Sequence, residues 1–182
     1  MAVKNILKYL RRTEDAFLIY GDGELEVTGY TDVSFQTDKD DSKSQSGYIF
    51  CLNNGAVSWK SSKQETFEAE YITAAEAAKE AVWIRKFLIG LGVVPLAAEP
   101  VPLYCDNNGA IAQAKEPRSH QRSKHVLRRF HLIREIIHRG DVKVEKVASD
   151  DNMADPLTKA IPQHKFEKHL HSSGIRCLSD WL

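Results

Sequence analysis

The 182-residue sequence predicts an α/β domain, a mixed five-stranded sheet flanked by helices. Three observations predict it. Successive extended runs separated by polar or Asn/Gly-rich connections make a three-strand antiparallel meander. Two further strands alternate with amphipathic helices, the pattern that extends a sheet with helices on its faces. Hydrophobic residues make up 42% and charged residues 27%, the composition of an ordinary globular chain able to bury a core without staples.

Residues 2–12 place Val3, Ile6, Leu7 and Leu10 at helical spacing with basic residues mostly between them. Phe17–Tyr20 is a brief extended run, and Gly21-Asp22-Gly23 signals a turn. Val27 to Phe35 reads as the first strand of the meander, followed by a polar loop over 36–46. Gly47–Leu52 and Ala56–Lys60 are apolar, aromatic-rich runs joined by Asn53-Asn54-Gly55, a strong hairpin signal. The longest helical pattern runs from about Thr66 to Leu91, with Tyr71, Ala74, Ala75, Ala78, Val82 and Leu88 on its apolar face. Gly90 and Gly92 close it. After a linker over 95–100, Val101–Cys105 is a short buried strand and 107–114 a helix broken by Pro117. Lys124–His138 is amphipathic, with Val126, Phe130, Ile133 and Ile137 inward. Val142–Val147 reads as an outer strand, 152–159 and 166–171 as short helices, and Trp59 and Trp83 as core residues.

Lys+Arg and Asp+Glu both number 25, so net charge selects no partner. Distribution says more. Eight Lys or Arg stand between Lys115 and Arg139 against only Glu116 and Glu135, while Asp38, Asp40 and Asp41 share one loop. The basic stretch reads either as a polyanion contact or as a solvated helix face. Cys51, Cys105 and Cys177 are distant and odd in number, which fits neither a zinc site nor a disulfide framework and predicts a reducing compartment. His120, His125, His131 and His138 have no i, i+4 pairing and no neighbouring Cys, so they do not read as zinc ligands. The run from Asp38 lacks the Gly and Glu that a calcium loop needs. No stretch approaches the roughly 18 apolar residues of a membrane span, and no signal peptide is readable.

Four acids stand out by position. Asp32 ends the first meander strand and Asp106 the fourth strand. Glu70 lies in the opening turns of the long helix, and Asp155 begins the segment after the last strand. Side chains at strand ends converge on crevices in α/β sheets, and clustered carboxylates call for hard divalent cations. Two such ions about 4 Å apart activate a water and stabilise an in-line phosphoryl displacement. The plainer reading is that Asp106 or Asp155 merely caps the helix that follows. Separation of Asp32 and Asp106 by more than about 10 Å would leave only an acid-rich binding protein of another fold.

The text around each acid carries a resemblance. Tyr30-Thr31-Asp32-Val33-Ser34 resembles the first-strand motif of ribonuclease H domains. The run Asp38 to Tyr48, continued by Ala56 to Gln64, resembles copia-type retrotransposons. Glu68-Ala69-Glu70-Tyr71, Tyr104-Cys105-Asp106-Asn107, Ser123-Lys124-His125-Val126, Arg129 to Glu135 and Asn152 to Lys159 are similar to the same family, in unbroken order over about 3–170. The resemblance implies the ribonuclease H domain of a Pol polyprotein, cutting the RNA strand of RNA–DNA hybrids during reverse transcription. It implies Asp32, Glu70, Asp106 and Asp155 as catalytic ligands of two Mg2+ ions, with Mn2+ as a substitute. Lys115, Arg118, Arg122, Lys124, Arg128 and Arg129 would hold nucleic acid.

By the same resemblance, residues 1–20 are the tail of a preceding reverse transcriptase, 21–160 the nuclease domain, and 161–182 a C-terminal helix and tail. The reverse transcriptase is then a partner, no membrane is involved, and the setting is intracellular, a cytoplasmic virus-like particle or the nucleus. One departure stands out. About five residues found in such relatives between the hairpin and the Glu70 motif are missing. That predicts a shortened third strand and a substitute helix cap from Ser62 with Glu65, or from Thr66. It also sets a second reading beside the active enzyme, an inactive remnant that at most binds nucleic acid.

Overall fold

The computed structural model describes residues 2–21, 25–34, 44–64, 69–92, 99–115 and 124–178. The loop of Asp38, Asp40 and Asp41, the 95–98 part of the linker, Thr66, Pro117, His120 and Trp181 lie outside them. The helices are α1 (Ala2–Arg12), α2 (Ala69–Gly90), α3 (Asn108–Lys115), α4 (Lys124–His138) and α5 (Gln163–Ser172). The strands are β1 (Ala16–Leu18), β2 (Val27–Ser34), β3 (Ser44–Leu52), β4 (Gly55–Gln64), β5 (Val101–Cys105), β6 (Val142–Lys146) and β7 (Ile175–Cys177).

The five-stranded sheet has the order β4-β3-β2-β5-β6. β2, β3 and β4 form the antiparallel meander, while β5 joins β2, and β6 joins β5, in parallel. Asn53 and Asn54 turn the β3–β4 hairpin with φ of 49° and 63°, left-handed values that asparagine tolerates. Two apolar layers follow from the period-two alternation of the strands. On one face α2 lays Ala74, Ala75, Ala77, Ala78 and Ala81 against Val27, Phe50 and Leu103, the small side chains letting helix and sheet approach closely. Ile133 and Ile136 of α4 complete that layer. On the other face Ile49, Cys51 and Ala56 meet Met153 and Ala154.

Several expectations change. The third meander strand is not cut short, since β4 pairs through Gln64 opposite Ser44. Ser62 therefore sits in the ladder, where its carbonyl accepts the Ser46 hydroxyl at 3.1 Å, and does not cap α2. β3 begins at Ser44, so the polar loop ends earlier than expected. Trp59 and Trp83 are not core residues, being 61% and 59% exposed. Trp59 stands on an edge strand, and Trp83 lies on α2 away from the alanine stripe, stacked on Phe87 at 5.3 Å. Residues 152–159 form no regular helix. One 3-10 turn, Asp155–Leu157, stands there, just after another at Ser149–Asp151, because Pro156 offers no amide and Asn152 turns its side chain onto the local backbone.

The two ends of the chain also meet. β1 pairs antiparallel with β7, and the Ile19 amide donates to the Gly174 carbonyl at 2.8 Å. The Ala56 amide donates to Ser173 at 2.9 Å, tying both segments to the hairpin. Gly174, at φ +84°, lies so close to the Asn54 and Ile19 carbonyls that a side chain has no room. The apolar stripe of α1 lies outside this packing, with Val3, Ile6, Leu7 and Leu10 all more than half exposed.

A comparable squeeze holds the centre of β2, where a Cβ on Gly29 would overlap the fully buried Phe50 ring. Gly29→Ala is expected to lower the urea midpoint by the equivalent of about 1–3 kcal/mol without changing the slope.

Candidate metal centre

The site begins with strand register. Thr31 of β2 pairs with Cys105 of β5 in parallel, so the next residues, Asp32, still laddered to Gly47 of β3, and Asp106, just past the end of β5, stand at one level. Parallel partners point to the same face, and neighbouring strands lie about 4.8 Å apart. One step back, Tyr30 and Tyr104 confirm the shared face, their rings tilted together at 5.1 Å. The segment after β6 supplies Asp155. Carboxylate oxygens of Asp32, Asp106 and Asp155 all lie within 4.8 Å of one another. Asp32 and Asp155 are buried, at 5% and 7% exposure, and Asp106 is half-buried. An unrelated fold with the acids more than about 10 Å apart is thereby excluded.

Neither Asp106 nor Asp155 serves as a cap. Asn107 caps α3, its Oδ1 accepting the Ala110 amide at 3.0 Å. Asp155 makes no capping bond to its 3-10 turn. The backbone of Glu70 lies in the first turn of α2, but its side chain is outside the described set. Of the basic residues, Lys115 is exposed at the end of α3. Lys124, Arg128 and Arg129 lie on α4 with side chains outside the described set, and Arg118 and Arg122 lie outside the described residues.

Four further residues shape the centre. Asn152 is fully buried and donates through Nδ2 to the Thr31 carbonyl at 3.1 Å, while its Oδ1 accepts the Ala154 amide at 3.2 Å. This fastens the 152–159 segment beside Asp32. Thr158 donates its hydroxyl to Asp32 Oδ2. Lys159 sets its Nζ 2.9 Å from Asp155 Oδ1 and 3.8 Å from Asp32 Oδ2. The Lys146 ammonium meets the Asp106 carbonyl. The i, i+4 spacing of Asp155 and Lys159 is a signal in the sequence for their pairing. No such signal marks Asn152.

Burial pushes the Asp32 carboxyl above the ordinary range, opposed by the Thr158 hydroxyl and the Lys159 charge and reinforced by Asp155 and Asp106. Asp155 is raised as well, first by burial, against the pull of Lys159. Lys159 is raised although burial opposes it, because Asp155 and Asp32 hold its charge. Asp155 Oδ1 is buried and faces the Lys159 ammonium without the direction of a hydrogen bond. Three converging carboxylates, one with a buried oxygen not committed to a directed bond, suit a hard divalent cation. A crevice of about 180 Å³, lined by Thr31, Asp32, Asp106, Asn107 and Lys159 among others, opens onto Asp32 and Asp106.

No protein-family model matches the chain. It is 42% identical over 171 residues to the retrovirus-related Pol polyprotein from transposon TNT 1-94 of Nicotiana tabacum, covering 91% of this chain and 13% of that protein. It is 36% identical over 180 residues to the Pol polyprotein from transposon RE1 of Arabidopsis thaliana, covering 96% of this chain and 12% of the relative. The chain thus spans about an eighth of the length of the curated relatives it matches. Among solved structures it is similar to the N-terminal RNase H domain of rv2228c from Mycobacterium tuberculosis, with TM-score 0.52, 13% identity, and coverage of 82% of this chain and 99% of that one. LC11-RNase H1 in complex with RNA/DNA hybrid gives 0.51 at 14% identity, over 73% and 94%. The prototype foamy virus protease-reverse transcriptase gives 0.50 at 13%, over 79% of this chain and 22% of that one. These likenesses identify the fold as that of ribonuclease H.

Two outcomes follow from the site's electrostatics. A carboxyl raised in the folded state binds protons more tightly there than in the unfolded chain, so its contribution to stability is lost as pH rises. Without divalent cations, Asp32→Asn is therefore expected to melt above the unaltered protein at neutral pH. The gap should close as pH falls toward about 4, and thermal scans in chelator across pH check it. Asn152→Ala should cost about 1–3 kcal/mol in denaturant unfolding by stripping a buried carbonyl of its partner.

Proposed function

We propose a nuclease function for this chain as a member of the family to which it belongs, the retrotransposon Pol polyproteins: metal-dependent hydrolysis of the RNA strand of RNA–DNA hybrids during reverse transcription. The observation that carries the reading is the meeting of Asp32, Asp106 and Asp155, from three distant segments, within 4.8 Å at one edge of a ribonuclease H fold. Their carboxylates would hold Mg2+, with two ions as the working number and Mn2+ as a substitute. Glu70 joins them as the fourth ligand in this reading, its backbone being placed at the start of α2.

Bound divalent cations supply a nucleophilic water at neutral pH and offset charge on the phosphoryl oxygens. The chain's own residues do the rest. Thr158 orients the Asp32 carboxylate. Asn152 fixes the segment bearing Asp155 to β2. The crevice beside Asn107 admits the backbone to the acids. Lys115, Arg118, Arg122, Lys124, Arg128 and Arg129 hold phosphates by charge, a sequence-independent and salt-sensitive contact. Choice of the RNA strand rests on its 2′-hydroxyl.

The hybrid and the reverse transcriptase of the same polyprotein are the partners in this reading. LC11-RNase H1 was solved with an RNA/DNA hybrid, and the foamy virus likeness lies in a protease-reverse transcriptase, which supports both partners. Residues 1–20 then belong to the end of the polymerase, 21–160 to the nuclease and 161–182 to its C-terminal helix and tail. No helix among the described residues is long and apolar enough to cross a membrane. The working place is inside the cell, in a cytoplasmic particle or the nucleus.

The test is cleavage of a strand-labelled RNA–DNA hybrid in Mg2+. The unaltered chain should cut only the RNA strand, and Asp32→Asn, Asp106→Asn and Asp155→Asn should each slow it by on the order of 100-fold or more. Equal cleavage by the chain and Asp32→Asn would remove the acids from the mechanism. Silence from both, with hybrid binding intact, would favour the inactive remnant.

A further inference from the structure

We propose that Lys159 is a tethered cation holding the acid cluster together in the metal-free protein, and that a divalent ion binds by displacing it. The proposal rests on the metal-site reading above and adds a residue that opposes metal entry. The Lys159 ammonium lies 2.9 Å from Asp155 and 3.8 Å from Asp32, bridging acids from two different elements. Both carboxylates are buried, while the lysine side chain is 36% exposed. Among the described residues lining the crevice that leads to Asp32 and Asp106, Lys159 is the one cation.

An ordinary i, i+4 surface pair is solvated on both sides and worth little. This pair differs in burial, in reaching two acids and in its backbone. The 3-10 turn folds the chain back so that the Lys159 amide donates to the Asp155 carbonyl at 3.1 Å. The main chain is pinned there while the four-carbon stem keeps its reach. One ammonium offsets one of the three described carboxylates, so the cluster remains short of positive charge. A divalent ion offers twice the charge and more ligand positions, but must first push the ammonium aside. The metal-free protein is thereby protected from its own carboxylate repulsion, at a cost in metal affinity.

The test is Mn2+ binding to the full chain by isothermal titration, with thermal unfolding in chelator alongside. Lys159→Met should bind Mn2+ about tenfold more tightly, the scale of one nearby unit charge removed from a partly screened site. It should also melt at lower temperature in chelator and recover when Mn2+ is added. Lys159→Arg should behave like the unaltered protein, and Lys159→Gln is the second neutral variant should the methionine fail to fold. Unchanged or weaker Mn2+ affinity in both neutral variants overturns the proposal while leaving the metal site intact. Absence of Mn2+ binding to the unaltered chain, or binding that survives Asp32→Asn, overturns the metal-site reading and this proposal with it.

Discussion

The centre depends on the parallel pairing of β2 with β5. These strands are separated by the whole of β3, β4 and α2, yet their register sets Thr31 opposite Cys105. Because side chains alternate faces, that register decides that Asp32 and Asp106 emerge together and on the same side. A slip of one residue would throw one of them to the opposite face, against the apolar layer of α2. What prevents it is burial on both sides of the sheet. Leu103 and Val101 are locked into one layer, while the Tyr30–Tyr104 contact occupies the other. The alanine stripe of α2 therefore serves the site at a distance, since its tight packing on β2 and β3 maintains the register.

The third acid arrives differently. Nothing in the sheet ladder positions Asp155, which stands after β6 in irregular chain. Its placement comes from polar side chains acting on backbone. Asn152 reaches the carbonyl of Thr31, the residue immediately before Asp32, so the anchor and the acid it serves share one strand position. Thr158 then binds Asp32 directly, closing a loop of contacts around Asp155. Met153 and Ala154 are buried between these anchors, against Ile49, Cys51 and Ala56. Polar anchors with an apolar filling between them hold irregular chain as firmly as a ladder holds a strand.

Much of this was legible in the residues because the signals were local. The meander, the Asn53-Asn54 turn, β5, β6 and the bounds of α4 follow from periodicity and turn chemistry, which neighbours along the chain decide. Asp106 was legible as a strand end and Asp155 through the motif around it, while Asp32, read as a strand end, stands two residues inside β2, which continues to Ser34. What escaped depended on partners far away in sequence. Asn152 is committed to Thr31, 121 positions earlier, so nothing beside it announces an anchor. Residues 152–159 read as a helix because their composition permits one, whereas the fold uses Pro156 and Asn152 to keep the segment in turns. The extended run at Phe17 was legible, but β7 is three residues, too short for periodicity to speak, and its pairing with β1 joins segments far apart along the chain. Trp59 and Trp83 were misplaced by a rule about residue type, when their position on an edge strand and an outward helix face decides exposure.

These anchors create an electrostatic conflict. The same burial that orders Asp32 and Asp155 makes their charges costly, with Asp155 and Asp106 adding to the cost at Asp32 and Asp106 to that at Asp155. A fold can relieve this by exposing the acids, by protonating them or by supplying positive charge. Exposure would loosen the geometry, and a protonated carboxyl is a poorer ligand for a hard cation. Supplying charge is the remaining course, and Lys159 does so from the same short segment that delivers Asp155. Acid and counter-charge therefore arrive as one unit, fastened by Asn152, so the segment cannot dock with its negative charge alone. That coupling explains how three converging carboxylates remain compatible with a folded chain.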